Sequence, residues 1–325
     1  MTMKKKILIT GGCGFIGSNF IRYMLDKYPD YNIINIDKLT YAGKGENLKD
    51  KEGDSRYKFI HSDICEAPVV DKIVKGCDII VHFAAESHVD RSILCSDAFV
   101  RTNVFGTHVL LEAAKRHNVS RYIQISTDEC YGSIKKGSFT ENSPILPNSP
   151  YSASKAAADL LARSYFVTHG LPVIITRSSN NFGPWQYPEK VIPLFITNLL
   201  EGKKVPLYGD GLNVRDWIFV LDNCAGIDLV MRNGKAGEVY NIGGGSEITN
   251  LELTRLILKK MGKGEESISY VSDRAGHDRR YSLNCAKIKK LGFRPKYDFK
   301  QALDLTIDWY KNNKPWWQKL KSKNV

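Results

Sequence analysis

The stretch that most constrains this chain is Lys6-Ile7-Leu8-Ile9-Thr10 followed at once by Gly11-Gly12-Cys13-Gly14-Phe15-Ile16-Gly17. A short apolar run reads as a strand, and an amphipathic helix is expected from about Ser18 to Tyr28. A glycine pattern alone is weak evidence. Strand, glycine turn and helix in that order is the context a dinucleotide-binding unit requires. Gly11 permits the tight turn, Gly14 lets backbone N–H groups approach a pyrophosphate at the helix N-terminus, and Gly17 lets the helix pack closely on the strand. The next strand, Asn32 to Ile36, leads into Asp37, about 20 residues past Gly17, where an acid that binds ribose hydroxyls belongs and favours NAD over NADP. The bland alternative is a turn aspartate.

Further strands are expected at Tyr57–Ile60, ending near Asp63 and Ile64, and at Asp78–Phe83, ending in Ala84-Ala85-Glu86-Ser87-His88. Small residues at that end leave room for a flat cofactor. His88 could be a ligand or a base, or a hydrogen-bonded structural histidine. A helix from about Ser96 to His117 carries Thr102 and Asn103; a central strand then ends in Thr127, and a sixth strand covers Pro172 to Arg177. Such alternation implies an α/β protein with a Rossmann-type doubly wound parallel sheet. Past the turn-rich Asn180-Asn181-Phe182-Gly183-Pro184 the alternation loosens. We therefore divide the chain into residues 1–185, to which some later segments return, and a smaller α/β substrate-binding part, 186–325. The second part is expected to hold helices over Val191–Leu200, Asn223–Arg232, Asn250–Met261 and Lys300–Lys311. Its strands are expected near Val205–Tyr208 and Arg215–Val220, with a charged loop at Asp273–Arg280. Trp316-Trp317 read as packing or interface residues.

Other classes are disfavoured. No apolar run reaches the ~18 residues of a membrane helix, and the N-terminal apolar run is too short for a signal peptide, so a cytoplasmic protein is expected. Seven scattered cysteines without a C-x-x-C pair argue against disulfides or a zinc site, and the histidines lack ligand spacing, so no metal is expected. The net charge of +12 sits largely in lysine runs near the C-terminus that read as solvated faces.

Two groups of residues carry chemistry. Ser126-Thr127-Asp128-Glu129-Cys130-Tyr131-Gly132 puts a hydroxyl and adjacent carboxylates at a strand's carboxyl end, where open α/β sheets bind ligands. It could equally be a solvated acidic turn. Tyr151 and Lys155 are four apart, on one helical face. An ammonium beside a phenol would lower the phenol's pKa toward that of a useful base; alone, the pair could be an exposed helix pair.

The G-x-x-G-x-x-G spacing resembles the short-chain dehydrogenase/reductase superfamily, extended branch. More narrowly, the chain resembles the dTDP-glucose 4,6-dehydratase family over nearly its whole length. The resemblance is carried by Asp37–Gly43, Ala84–Ser92, Ser126–Gly132, Pro147–Lys155, Ser179–Pro193, Tyr208–Trp217 and Asp273–Tyr281. The Asp128-Glu129 pair is the sharpest discriminator: sugar 4-epimerases of similar fold carry small hydroxylated or apolar residues there. Cys130 stands where the family has Val or another apolar residue, Cys13 replaces Ala and Ser178 replaces Cys. None removes a reactive group.

The resemblance implies NAD as cofactor and a reaction in three parts: transient oxidation at sugar C4, loss of water across C5 and C6, and hydride return to C6. It makes Tyr151 the base at the 4-hydroxyl, activated by Lys155, with Thr127 hydrogen-bonding that oxygen. Asp128 becomes the acid at the 6-hydroxyl, with a pKa raised by burial and its neighbour, and Glu129 the base at C5. Phe15, Ile16, Lys38, Leu39, Thr40, Asp63, Ile64, Thr102 and Asn181 would surround NAD together with Gly11, Gly14, Gly17, Asp37, Phe83, Ala84 and Ala85. Ser87, Asn180, Lys190, Val191, Pro206, Tyr208, Arg215, Asn250, Asp273, Arg274 and His277 would surround the nucleotide-sugar, with the Arg215 fork suited to phosphate oxygens. A homodimer joined through helices near Ser96–His117 and Tyr151–His169 is implied as well. Other readings are an NAD-dependent sugar-nucleotide 4-epimerase, which needs Tyr151 and Lys155 but neither carboxylate, a UDP-glucose 4,6-dehydratase, and a non-enzymatic dinucleotide sensor. The sensor reading leaves the catalytic set unexplained.

Overall fold

The computed structural model describes residues 5–273 and 276–322. Its centre is a sheet of seven parallel strands in the order β10-β6-β5-β4-β1-β2-β3. In chain order these are β1 (Lys5–Thr10), β2 (Tyr31–Asp37), β3 (Tyr57–His61), β4 (Ile79–His82), β5 (Arg121–Thr127), β6 (Val173–Ser178) and β10 (Val239–Ile242). The helices α1 (Phe15–Lys27), α2 (Ala67–Val74), α3 (Val89–Leu94), α4 (Asp97–Phe99), α5 (Thr107–Arg116) and α6 (Pro150–His169) connect them. Two apolar cores lie against the sheet. One gathers Ile7, Phe20, Ile123 and Ile227, the other Leu8, Val70, Leu110 and Val173. Successive residues Ile7 and Leu8 thus point into different layers, as strand alternation demands. Strand order reverses between β1 and β4, which opens a crevice at their carboxyl ends.

Two glycines make that crevice possible. Gly11 has φ +69, and a Cβ there would lie 2.6 Å from the backbone N and Cα of Ala84. A Cβ on Gly17 would lie 2.4 Å from the carbonyl oxygen of Gly11, so only glycine lets α1 sit against the turn.

The expected long helix over 96–117 is interrupted. Between α4 and α5 the chain makes a π-helical turn, Val100–Gly106, which carries Thr102 and Asn103; such turns are frequent at functional sites. The helix bearing Tyr151 is set by its start signals. Ser149 and Ser152 form a reciprocal capping box, Pro150 occupies the first turn, and Gly170 ends the helix in the left-handed region.

The rest of the chain adds β7 (Asn180–Phe182), α7 (Val191–Leu200), β8 (Val205–Tyr208), β9 (Val214–Phe219) and α8 (Val220–Asn233). It continues with β11 (Glu247–Thr249), α9 (Asn250–Lys260), β12 (Ile268–Val271), α10 (Ala286–Lys290), α11 (Phe299–Asn312) and α12 (Lys314–Ser322). Small sheets β11-β9-β7 and β12-β8 enclose a third core with Phe195, Trp217, Leu253 and Trp317. The sequence reading lacked β7, where it expected a turn, and also β10, β11, β12, α2, α3, α10 and α12. These are segments of 3 to 9 residues, too short for a periodicity signal.

Candidate active site

A cleft of about 1270 Å³, counted out to its open mouth, runs along the carboxyl ends of β1, β2 and β4. Gly11, Gly14, Phe15, Ile16 and Gly17 form its floor, and Asp37, Lys38 and Thr40 one end. Asp63, Ile64, Phe83, Ala84, Ala85 and Thr102 form a wall, with Tyr151 and Lys155 at the inner end. Asp37 is 7% exposed and accepts from the backbone N–H groups of Cys13 (2.9 Å) and Leu39 (2.8 Å), which aim its carboxylate into the cleft end. Lys38 pairs with Asp63 at 2.7 Å. A glycine floor, a helix N-terminus and a fixed carboxylate fit a dinucleotide with free ribose hydroxyls.

Leu39 and Asn181 lie outside this wall. Leu39 adopts φ 55 and packs on the apolar core beside the cleft, and the Asn181 side chain donates to the carbonyl of Ser179 at 2.9 Å. Glu86, Gln186, Tyr187 and Glu189, which sequence reasoning did not select, are in the wall. Glu86 and Glu189 fell within motif stretches, but nothing marked them as facing a cavity.

At the end of β5 the chain turns through a short 3-10 helix, Asp128–Tyr131, capped by the Thr127 hydroxyl, which accepts from Glu129 N–H at 3.2 Å. Gly132 leaves it at φ 82. Asp128 is 2% exposed; one carboxyl oxygen accepts from the Thr127 hydroxyl at 3.3 Å, and the other is buried without a hydrogen-bond partner in the protein. Burial pushes this carboxyl well above the carboxylate range, helped by the charges of Glu129 and Asp216 and opposed by Arg215. Burial thus favours the protonated, proton-donating form of Asp128. Glu129 is half-buried beside it.

The Tyr151 hydroxyl shares a hydrogen bond with Thr127 and lies within the fields of Glu129 and Asp128. The phenol and both carboxyl groups thus lie within reach of one another's charge; Tyr151 lines the cleft itself, whereas Thr127, Asp128 and Glu129 stand beyond its lining. One expectation is corrected. Lys155 donates to the carbonyl of Ile125 at 2.7 Å, and the phenol is pushed well above its ordinary value by burial and then by Glu129, Cys130 and Asp128. Lys155 is itself 5% exposed, and burial lowers its pKa. Cys130 is fully buried, with its thiol pushed up to about 12 by burial, so it packs and does not react.

The residues expected around a nucleotide-sugar fall into two groups. Ser87 and Lys190 line the cleft itself, and the Lys190 ammonium donates to the Ser87 carbonyl at 3.0 Å. Asn180 lies on β7, Val191 opens α7, Pro206 and Tyr208 are on β8, and Asn250 opens α9. Arg215 lies on β9, 5% exposed, over the Tyr281 ring at 4.2 Å, and donates to the carbonyls of Val214 and Asp278, both at 2.8 Å. Asp273 and His277 pair at 2.6 Å, with Tyr208 edge-on to His277. Arg274 is outside the described residues. His88 caps α3, accepting from Arg91 N–H. Among the described residues no group of His, Cys, Asp and Glu could hold a metal ion.

Fold and site together define a dinucleotide-dependent enzyme of the extended short-chain dehydrogenase/reductase class. The family profile described as GDP-mannose 4,6 dehydratase matches residues 8–306. The dTDP-glucose 4,6-dehydratase of Streptomyces antibioticus is 54% identical over 323 residues, 98% of this chain and 96% of that protein. The solved dTDP-glucose 4,6-dehydratase of Streptomyces venezuelae, with NAD bound, is 53% identical with a TM-score of 0.95, over 97% of this chain and 99% of that one. A UDP-glucose 4-epimerase from Thermus thermophilus, in complex with NAD, shares the fold at 28% identity and TM-score 0.87, over 95% of this chain and 99% of that one. The chain belongs to the dTDP-glucose 4,6-dehydratase family.

Proposed function

We propose that this chain converts dTDP-glucose to dTDP-4-keto-6-deoxyglucose, with NAD held in the cleft and regenerated each cycle. The observation that carries the reading is the buried Asp128, its carboxyl pushed upward by burial, next to Glu129, with Tyr151 hydrogen-bonded to Thr127 and within the field of both carboxyl groups. An epimerase needs the phenol alone; elimination needs an acid and a base on neighbouring carbons.

Bound NAD would supply a hydride acceptor at C4 and a donor at C6. Tyr151 would take the 4-hydroxyl proton as the phenolate, a form that the positive charge of bound NAD would favour against the upward push of burial, while Thr127 holds that oxygen. The 4-ketone acidifies the proton at C5, which Glu129 removes. Asp128 gives its proton to the departing 6-hydroxyl, and water leaves. Glu129 then returns a proton to C5. Lys155, tied to the Ile125 carbonyl, lines the inner end of the cleft with Tyr151. Asp37 would bind the adenosine ribose, and Arg215, Asn250 and the Asp273–His277 segment the nucleotide diphosphate.

Glu129→Gln tests this. Loss of general-base help costs on the order of 10²–10⁴-fold, so 4-keto product, read by its base-induced absorbance, should form that much more slowly. Product at the wild-type rate would refute the assignment. Steady-state kinetics with dTDP-glucose and UDP-glucose side by side test the nucleotide.

We also read the chain as a cytoplasmic homodimer. Among the described residues no helix is long and apolar enough to cross a membrane. Leu94 at the end of α3 is 86% exposed and Val167 on α6 63%, and Val100 and Phe105 in the π-helical turn and Leu160 on α6 are exposed as well. Light scattering of the purified chain checks the mass.

A further inference from the structure

Three loops that carry no expected catalytic residue meet at the mouth of the cleft, and one side chain joins them. Glu189, just before α7, is largely buried, its side chain 12% exposed. One of its carboxyl oxygens accepts from the Tyr41 hydroxyl at 3.1 Å. Its other oxygen lies 3.6 Å from His88 Nε2 and 3.9 Å from the Arg91 guanidinium. Arg91 in turn sits over the Tyr41 ring at 3.7 Å, and Tyr187 packs edge-on against the same ring at 5.5 Å. Tyr41 belongs to the loop after β2, His88 and Arg91 to the segment after β4, and Glu189 to the segment after β7.

These loops are cleft wall. Thr40 and Ala42 flank Tyr41, Ser87 precedes His88, and Glu189 and Lys190 line the cavity directly. The wall segments after β2 and β4 stand at the mouth of the crevice that the strand reversal opens. The segment carrying Glu189 comes from another part of the chain, and its contacts with Tyr41, His88 and Arg91 tie it to the other two. A desolvated carboxylate with hydrogen-bonded and cationic partners holds a geometry far better than an exposed pair.

We propose that Glu189 is a positioning residue that fastens these loops over the cleft and so sets how long the dinucleotide stays bound. This rests on the NAD reading above. The carboxylate contacts neither reacting carbon nor the acid and base; it acts through Tyr41, His88 and Arg91. A reaction that lends a hydride and takes it back requires that the reduced cofactor not leave between the two transfers.

The test loads wild type, Glu189→Gln and Tyr41→Phe with NADH, then follows the fluorescence decay on mixing with excess NAD. Removing a charge-assisted contact should speed dissociation on the order of tenfold in Glu189→Gln and less in Tyr41→Phe, with the double variant less than the product of the two. KM for the sugar nucleotide should not move, and circular dichroism should show all the variants folded. Unchanged NADH release in folded variants overturns the proposal, as does a raised sugar KM with normal release. Failure of wild type to bind NADH at all would instead overturn the cofactor reading. Tyr41→Phe, which keeps the ring under Arg91, covers the case in which Glu189→Gln does not fold.

Discussion

The parallel sheet and the region built on β7, β8, β9, β11 and β12 solve the same problem, holding a ligand, by opposite routes. In the sheet, much of the cleft is made by strand ends that follow one another along the chain. The turn after β1, Asp37 at the end of β2, Asp63 after β3 and Ala84 after β4 are read in chain order. In the other region partners come from afar: Pro206 pairs with Ser269, Asp216 with Glu247, and Arg215 rests on Tyr281. A site made from consecutive strand ends writes itself into local sequence. A site made from long-range pairs does not.

Removing a glycine at the sheet should break the contrast most sharply. Gly11→Ala combines a positive φ with a Cβ at 2.6 Å from the Ala84 backbone, neither of which can relax cheaply. We expect a loss of several kcal/mol, ~3 or more, with dinucleotide binding abolished. Gly245→Ala, also at positive φ (+71) but with nothing within 4 Å, should cost only ~1 kcal/mol. Chemical denaturation of the two variants checks this; equal losses would mean the turn after β1 is no more constrained than the loop after β10.

The two regions should also respond to acid with opposite signs. His82, in β4, is buried between the hydroxyls of Thr10 (2.7 Å) and Thr107 (3.0 Å), and burial lowers it to about 3. Its folded pKa is depressed, so its contribution is full above pH 6.5 and is lost as pH falls toward 3. Asp216, in β9, is 2% exposed, accepts from Ser246 N–H at 2.7 Å, and is pushed up to about 6 by burial. Its folded pKa is raised, so its contribution is full below 3.8 and is lost as pH rises through about 6. Asp216→Asn keeps the acceptor and should gain ~1–2 kcal/mol at pH 8 and nothing at pH 4. Melting temperatures across that range measure it; a gain independent of pH would show that the carboxyl is not desolvated in the folded state.

How legible the site was follows from the same division. The cofactor cleft was readable because glycine spacing, a strand-end acid and small residues each have a local cause. The Thr127-Asp128-Glu129 turn was readable as a group because it ends the central strand, but its burial was not. Neither was the Lys155 contact with the Ile125 carbonyl, which depends on how α6 lies on β5. The positive φ of Leu39 and its packing on the core were not readable, because such a backbone conformation at a non-glycine residue leaves no mark in sequence. Glu189 and Asp216 were missed because an acid shows what it is in sequence but not which cavity or charge it faces. Trp316 and Trp317 were read as packing residues without a partner; Trp317 is 1% exposed in the third core.

Trp316 shows that the two regions do not act alone. Its indole N–H donates to the Asn47 side chain at 2.9 Å, and Asn47 donates to the carbonyl of Cys13 at 2.8 Å, inside the glycine turn. Its ring meets Trp185 and Trp309 edge-on at 5.5 and 5.1 Å. The C-terminal helix is thus bonded, through one asparagine, to the turn that binds the dinucleotide. Trp316→Phe keeps one ring for the aromatic contacts and removes the N–H together with the smaller ring, so the expected loss is ~1–2 kcal/mol. If Asn47 transmits order to the turn, the variant should bind NAD more weakly and its melting should rise less with added NAD than that of wild type, because a ligand stabilises the state it binds in proportion to its affinity. A variant whose melting rises with NAD by the same amount as wild type would mean that the indole bond holds α12 in place without reaching the glycine turn.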